Sequence, residues 1–315
     1  MIDCNTLRNL TAKTIFSTLP KARGSFHKTQ KFSYSVANMG TFNLPETNPS
    51  CPVHLTDNIT RDQLLSYPAF KTWHKTILHS LSLQSNPTHE FNKAPYKLRE
   101  ITLQSVDWFG SGDKKRLGFV KFQAQITNDD GEYLPGAVFM RGSSVAMLLV
   151  LQPDDVPESD ESEKHVLLTV QPRLAASSLA FPEIPAGMLD DAGSFAGGAA
   201  KEIEEETGLV VKDEDLIDMT ALALQNDNSP EQLQNGVFTT PGACDEFVPI
   251  FYYQKRLPRK ELDEFRGKLT GLRDGGEKIT LKVVKLDDLW KEGARDAKTL
   301  SAWALYQGLK KEGKL

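Results

Sequence analysis

Cysteine and long apolar runs are both scarce in this 315-residue chain, and each scarcity excludes a class of protein. The three cysteines, Cys4, Cys51 and Cys244, are too few and too scattered for a disulfide framework, and they lack the spacing of a zinc site. No apolar run approaches the roughly 18 to 20 residues that a membrane-spanning helix requires. We therefore expect a protein of a reducing compartment with no membrane partner.

An excess of positive charge is also missing from the chain as a whole. The formal net charge is -5, so the sequence has no basic footprint for nucleic acid. Hydrophobic residues make up 39% of the chain, enough at this length to bury one large core and a smaller second one. The composition agrees with a globular enzyme.

The first 38 residues differ from the rest in charge. They contain six Lys and Arg residues against the single acid Asp3, and they are rich in Ser and Thr. This composition predicts an organellar transit peptide, with the mitochondrion as the expected destination. A disordered basic tail is the alternative. Met39 offers a second start, which would give a cytoplasmic form.

Residues 39–141 are predicted to hold a linker, helices and a small β-rich domain. Prolines and asparagines at 43–52 indicate the linker, and helical spacing of apolar residues at 60–82 predicts one or two helices. Turn-rich segments then separate three strand candidates, which predict a small antiparallel sheet: 100–107, 116–127 and 134–140.

Residues 142–315 are predicted to form the catalytic domain. Its acidic segment is flanked by strand candidates, and a C-terminal helix is expected at 295–311. The strand candidates are 144–151, 165–171, 217–225, 246–255 and 279–286.

The acidic segment at 187–209 carries the clearest chemical signal. Glu202, Glu205 and Glu206 lie at i, i+3 and i+4, so they share one face of a helix that Ser194 can begin and Gly208 can end. Like charges at this spacing need either water or a counter-charge. A solvated surface helix is one interpretation, and a Mg²⁺ site built from hard oxygen ligands is the other.

This segment resembles the Nudix box, the pattern G-x5-E-x7-R-E-U-x-E-E-x-G-U in which U is aliphatic. Two positions depart from it, because Gly193 replaces the first glutamate and Lys201 replaces the arginine. Lys201 keeps the positive charge of the arginine but lacks its planar guanidinium group, which can donate two parallel hydrogen bonds. Seven positions fall in register: Gly187, Glu202, Ile203, Glu205, Glu206, Gly208 and Leu209.

The resemblance extends from about residue 105 to the C-terminus. Segments such as VDWFG, LPGAVFMRG, EIPAGMLDD and PGACDE are similar to those of ADP-sugar diphosphatases, particularly plant-type ADP-glucose pyrophosphatases. The resemblance implies an α+β protein, in which a Nudix α/β/α sandwich follows an N-terminal antiparallel β-rich dimerisation domain. It also implies a homodimer that uses Mg²⁺, or alternatively Mn²⁺, to hydrolyse a nucleotide sugar to AMP and a sugar phosphate.

Site residues follow from the same resemblance. Glu202 and Glu206 match the principal metal ligands, Glu205 matches an additional ligand with a catalytic part, and Ala186 matches a backbone carbonyl ligand. Glu246 in PGACDE matches a general base, with Asp245 as its close competitor.

Two arginines match positions near the substrate cleft of the family, and Glu183 is a further candidate for contact with the substrate. Arg141 and Arg173 suit phosphate oxygens, although an arginine at a strand end can equally be a surface ion-pair partner. Glu183 can hydrogen-bond substrate or cap the end of its strand.

Two other functions stay open at this stage. The departures at Gly193 and Lys201 allow a catalytically weak Nudix-fold sensor of nucleotide sugars, although the retained glutamates argue against it. Hydrolysis of another nucleoside diphosphate-linked compound, or of a nucleoside triphosphate, also fits the box. The sequence leaves the preferred sugar and the number of metal ions undetermined.

The targeting hypothesis predicts that residues 1–38, fused to a fluorescent protein, carry it into mitochondria. Basic, acid-poor segments are read by the mitochondrial import machinery. Microscopy of cells that express the fusion measures the outcome, with a fusion that begins at Met39 as the control. A cytosolic signal from both fusions would contradict the hypothesis.

Overall fold

The computed structural model describes residues 40–112, 115–188, 194–272 and 277–315. The predicted transit peptide at 1–38, the alternative start Met39 and the box position Gly193 lie outside the described residues.

The N-terminal part contains a six-stranded sheet built around a long hairpin. β3 and β4 pair antiparallel along most of their length, as predicted. β2, which was not among the predicted strands, pairs with β3 in parallel. The strands are β1 Thr41–Asn43, β2 Pro52–His54, β3 Lys97–Phe109, β4 Arg116–Thr127, β5 Tyr133–Leu134 and β6 Ala137–Met140.

The segment at 43–52 is part of this fold rather than the expected linker. Leu44 and Cys51 are buried, and the Leu44 N–H donates to the Cys51 carbonyl at 2.8 Å. The segment connects the paired strands β1 and β2. Its prolines and asparagines therefore mark a turn between two strands.

Two helices cover the first sheet, α1 (Arg61–Ser66) and α2 (Pro68–Ser82). Thr60 begins α1 through a capping box with Gln63. Tyr67 is extended because it precedes Pro68, and this conformation separates the two helices. On the sheet side of α2, the ring of Trp73 lies 4.9 Å from that of Phe122, edge to face.

An eight-stranded sheet forms the centre of the second part, in the order β11-β14-β7-β8-β16-β15, with β10 beside β7 and β9 beside β8. β7 and β14 are parallel, while the other pairs in this sheet are antiparallel. The strands of this part are β7 Ser144–Pro153, β8 His165–Arg173, β9 Ser178–Glu183, β10 Ala186–Met188, β11 Ile217–Asp218, β12 Val237–Phe238, β13 Phe247–Val248, β14 Ile250–Leu257, β15 Leu269–Thr270 and β16 Ile279–Lys285. The helices are α3 Phe195–Thr207, α4 Met219–Leu224, α5 Arg259–Glu264, α6 Leu289–Glu292 and α7 Ala297–Lys311.

Strand β7 is buried along its whole length and divides the second part into two cores. Its odd-numbered apolar residues pack with Ala199 and Ile203 of α3. Its even-numbered ones pack with Ala302 and Tyr306 of α7. Because successive side chains of a strand point to opposite faces, one strand supplies both cores. The layers are therefore helix, sheet and helix, which confirms the expected α+β fold with an α/β/α sandwich.

The predicted strand at 217–225 was wrong beyond its first two residues. The chain turns into helix α4 because the Asp218 carboxylate accepts the Ala221 N–H at 2.9 Å and the Thr220 hydroxyl at 2.6 Å. This cap provides a hydrogen-bond acceptor for a backbone N–H group in the first turn of the helix. The run of apolar residues that follows fits either structure by periodicity alone.

Within the described residues, no helix is both long and apolar enough to cross a membrane.

Gly136→Ala is expected to destabilise the N-terminal sheet. A Cβ at this position would lie 2.0 Å from the carbonyl oxygen of Ala124, so the backbone has to move, at a cost of about 2 kcal/mol. Urea denaturation measures the free energy of unfolding. Gly308→Ala is the matched control, because apart from the backbone of its own helix and its chain neighbours nothing lies within 4 Å of where the new Cβ would be, and it should be neutral or stabilising. Equal stability of both variants would contradict this packing.

Candidate active site

The acidic segment forms helix α3 with the caps that its sequence predicted. The Ser194 hydroxyl accepts the Gly197 N–H at 3.0 Å, and Gly208 ends the helix in the left-handed region at φ 78°. Lys201 and Glu205 form an ion pair at 3.7 Å on the more exposed side of the helix.

Glu206 is the most deeply buried acid of this helix, at 2% exposure. Its carboxylate accepts the Ala186 N–H at 3.1 Å and the Gln171 side-chain amide at 3.4 Å. Burial raises the pKa of Glu206 well above its usual range, and the nearby carboxylates of Glu202 and Glu183 raise it further. Gln171 was missed by sequence reasoning, because nothing in its local pattern marks it as a partner of a residue 35 positions away.

Glu202 lies directly against Gly187, the first glycine of the box. A Cβ on Gly187 would be 1.8 Å from the carboxylate carbon of Glu202, so the glycine makes room for this side chain. Burial raises the pKa of Glu202 to about 7, with further contributions from Glu205 and Glu277. Glu277 follows a glycine-rich segment, and sequence reasoning had not singled it out.

These carboxylates suit a hard divalent cation. Their ligand atoms are oxygens, and burial and like charge both disfavour their ionised forms, which a bound cation would stabilise. Across the described ranges, no three His, Cys, Asp or Glu side chains already converge as a complete metal cage. The ligand roles of Glu202, Glu205, Glu206 and the Ala186 carbonyl therefore stay predictions.

A second acid of the site, Glu183, lies between two cations. It is 1% exposed, and its two carboxylate oxygens accept from Arg173 Nε at 2.5 Å and from Lys298 Nζ at 3.0 Å. Lys298 also contacts Asp296 at 2.9 Å, which caps helix α7 through the Thr299 N–H. Arg173 and Glu183, both expected near substrate, thus form one network that joins β8 and β9 to α7.

Glu246 and Asp245 occupy different surroundings although they are adjacent in sequence. The Glu246 carboxylate accepts from the Ser144 hydroxyl at 2.7 Å and from Thr239 at 3.4 Å, and lies 3.4 Å from Arg141 Nη1. The Asp245 carboxylate accepts backbone N–H groups, at 2.8 Å from Arg141, and burial raises its pKa. The mainly backbone-directed contacts of Asp245 favour Glu246 as the candidate base.

The box glutamates and Glu246 are both connected to the first residues of strand β7. β10 pairs with β7 so that Met188 is opposite Ser144, the residue bonded to Glu246. Gly187, which accommodates Glu202, is the next residue on β10. Strand partners are only about 5 Å apart between Cα atoms, so the register brings the box and Glu246 close together.

A cleft of about 740 Å³ is lined by Met188 and Asp245, the chain neighbours of Gly187 and Glu246, while the box glutamates and Glu246 themselves are not in its lining. Its walls come from helix α2 and the end of β3 on one side, and from α3 and the segment before β12 on the other. Arg141, whose Nη1 lies 3.4 Å from the Glu246 carboxylate, is also in its lining. The volume is within the range of small-molecule sites, roughly 300 to 1,000 Å³.

Comparison with known proteins identifies the family. The NUDIX domain model matches residues 146–304, which is half of the chain and includes both acidic groups. The chain belongs to the Nudix family. This family generally uses a divalent metal such as Mg²⁺.

Two similar proteins illustrate the relationship. Nudix hydrolase 14, chloroplastic, of Arabidopsis thaliana is 38% identical over 218 residues, which cover 69% of this chain and 64% of the relative. A crystal structure of an ADP compounds hydrolase matches 70% of this chain and 99% of its own, with a TM-score of 0.42 and 17% identity.

Lys298→Met is expected to lower the free energy of unfolding by about 3 kcal/mol. The change removes the cation that Glu183 and Asp296 share. Buried carboxylates that lose a cationic partner destabilise the folded state. Lys212→Met is the control, because Lys212 pairs with Glu214 in an exposed position, and its effect should stay within about 0.5 kcal/mol. Chemical denaturation of both variants checks the difference. Similar values for the two would mean that Lys298 does not stabilise the network.

Proposed function

We propose that this Nudix protein hydrolyses the diphosphate bond of ADP-sugars, such as ADP-glucose or ADP-ribose, in a Mg²⁺-dependent reaction that releases AMP and a sugar phosphate. The observation that supports it most directly is the placement of the box carboxylates and Glu246 at one end of β7. Membership of the family supports the hydrolytic chemistry, and the similarity of segments such as PGACDE supports the ADP-sugar branch.

In this proposal Glu202 and Glu206 hold the cation, with Glu205 and the carbonyl of Ala186 as further ligands. When bound, a divalent cation supplies positive charge to the diphosphate oxygens and acidifies water. Gly187 keeps the space that the Glu202 carboxylate occupies, and the Ala186 N–H keeps Glu206 oriented. Binding the cation offsets the repulsion between the buried carboxylates.

Glu246 acts as the general base. It takes a proton from the attacking water as the new P–O bond forms and the bridging P–O bond breaks. Ser144 and Thr239 orient its carboxylate, and Arg141, beside it, binds phosphate oxygens. Arg173 binds the second phosphate, and its ion pair with Glu183 orients the guanidinium.

The assembly and location of the protein are part of the same proposal. We expect residues 39–141 and 142–315 to act as two domains of a homodimer, in which the N-terminal domain mediates dimerisation. The relative described as chloroplastic supports an organellar compartment, with residues 1–38 as the import signal and the mitochondrion as the expected organelle.

Glu206→Gln tests the proposal, because it keeps the side-chain size but removes the charge of a ligand. AMP released from ADP-glucose and from ADP-ribose is measured with and without Mg²⁺. We expect the variant to lose about a hundredfold in rate, equivalent to about 2.7 kcal/mol of transition-state stabilisation.

Glu204→Gln is the matched control, since it makes the same change on the exposed side of the same helix and should leave the rate unaltered. Equal rates for the two variants would contradict the ligand role of Glu206. Binding of the nucleotide sugar without any release of AMP would instead favour the sensor function.

A further inference from the structure

One face of strand β8 changes from apolar to polar along its length. Leu167 belongs to the core that the sheet shares with helix α3, whereas Thr169 and Gln171, which follow at a spacing of two, are buried polar residues. Side chains two residues apart on a strand point to the same face. Because a buried polar side chain is costly without a hydrogen-bond partner, Thr169 and Gln171 each need one.

The two residues have partners of different kinds. The Thr169 hydroxyl donates to the backbone carbonyl of Glu183, its pair on the neighbouring strand β9, at 3.4 Å. Gln171 instead contacts helix α3, where its Nε2 donates to Oε1 of Glu206 at 3.4 Å. Gln171 is 7% exposed and Glu206 is 2% exposed, so this contact lies in the interior. Gln171 thus connects the sheet with a candidate metal ligand.

Glu206 is held at three points, each on a different part of the residue. The Thr270 hydroxyl donates to its backbone carbonyl at 2.5 Å, which fixes the end of helix α3. The Ala186 N–H donates to Oε2 of the carboxylate at 3.1 Å, and Gln171 donates to Oε1. With the backbone and one oxygen fixed, the contact to the second oxygen determines how the plane of the carboxylate is rotated.

A neutral amide is a suitable donor at this position. It orients a carboxylate oxygen without adding positive charge, and the oxygen keeps a further lone pair. The negative charge of Glu206 therefore remains available to a hard cation. Glu183 differs in this respect, because Arg173 and Lys298 both contact its carboxylate.

We infer that Gln171 is a positioning residue for Glu206, and that its amide holds the carboxylate in the orientation in which it binds a divalent cation. The inference rests on the proposed function, in which Glu206 is a metal ligand. Residues that orient a metal ligand typically change the metal affinity by about 10-fold to 100-fold when they are replaced.

Binding of Mn²⁺ without nucleotide tests this role independently of hydrolysis. The electron paramagnetic resonance signal of free Mn²⁺ measures the affinity. Gln171→Met keeps an unbranched side chain of similar length but removes the donor, and we expect at least about tenfold weaker binding. Gln152→Met is the matched control, because Gln152 is also fully buried but donates to the carbonyl of Pro157. This control should leave the affinity for Mn²⁺ unaltered, whatever it does to the free energy of unfolding.

A second variant covers the case in which Gln171→Met does not fold, as judged by circular dichroism. Gln171→Asn keeps an amide in the strand, but its side chain is one carbon shorter and does not reach Glu206. We expect the same loss of affinity from it.

A double variant tests whether Gln171 acts through Glu206. Adding Gln171→Met to Glu206→Gln should not weaken Mn²⁺ binding beyond the effect of Glu206→Gln alone, because residues that act as one unit have non-additive effects. A further loss in the double variant would mean that Gln171 acts independently of Glu206, which overturns the inference.

The remaining outcomes separate this inference from the proposed function. If Glu206→Gln weakens Mn²⁺ binding and the Gln171 variants do not, the ligand role of Glu206 stands and the positioning role is overturned. Equal losses in Gln171→Met and Gln152→Met also overturn it, since any buried glutamine would then have the same effect. If the affinities change as expected but no AMP is released from ADP-sugars, the positioning role stands and the proposed function fails.

Discussion

Burial of strand β7 on both faces is the constraint on which the rest of the structure depends. All ten of its residues are buried, so helices have to cover each side of the sheet. α3 covers one face and α7 the other, and the box glutamates are carried on the first of these helices. The start of β7 also supplies Ser144, which hydrogen-bonds Glu246, and pairs with β10, which carries the box glycine Gly187.

Burial disfavours the ionised forms of the acidic side chains in the site. Glu206 and Glu183 are almost completely buried, and neighbouring carboxylates raise the pKa of Glu206 further. Glu183 is compensated within the protein by Arg173 and Lys298, whereas Glu206 receives hydrogen bonds from neutral groups of Ala186 and Gln171. The different partners suit different tasks, since a carboxylate paired with two cations is part of the framework, whereas one whose hydrogen-bond donors among the described residues are neutral suits a metal ion.

The N-terminal part contributes to the cleft as well as to the fold. Helix α2 packs one side on the sheet through Phe70 and Trp73, and its other side faces the segment at 230–234. That segment leads through β12 to Thr239, which is hydrogen-bonded to Glu246. A set of contacts thus runs from helix α2 through the segment at 230–239 to the candidate base.

The sequence by itself determined the features that depend on neighbours within a few residues. Helix α3, its caps at Ser194 and Gly208, and the shared face of its glutamates follow from local spacing. The helix α4, expected as a strand, shows where an apolar run is ambiguous and a single capping aspartate decides. Tertiary structure alone brought Ser144 to Glu246 and Lys298 to Glu183, across 102 and 115 residues. Such contacts depend on strand register and on helix packing over the whole chain, because side chains far apart in sequence carry no local sign of their partners.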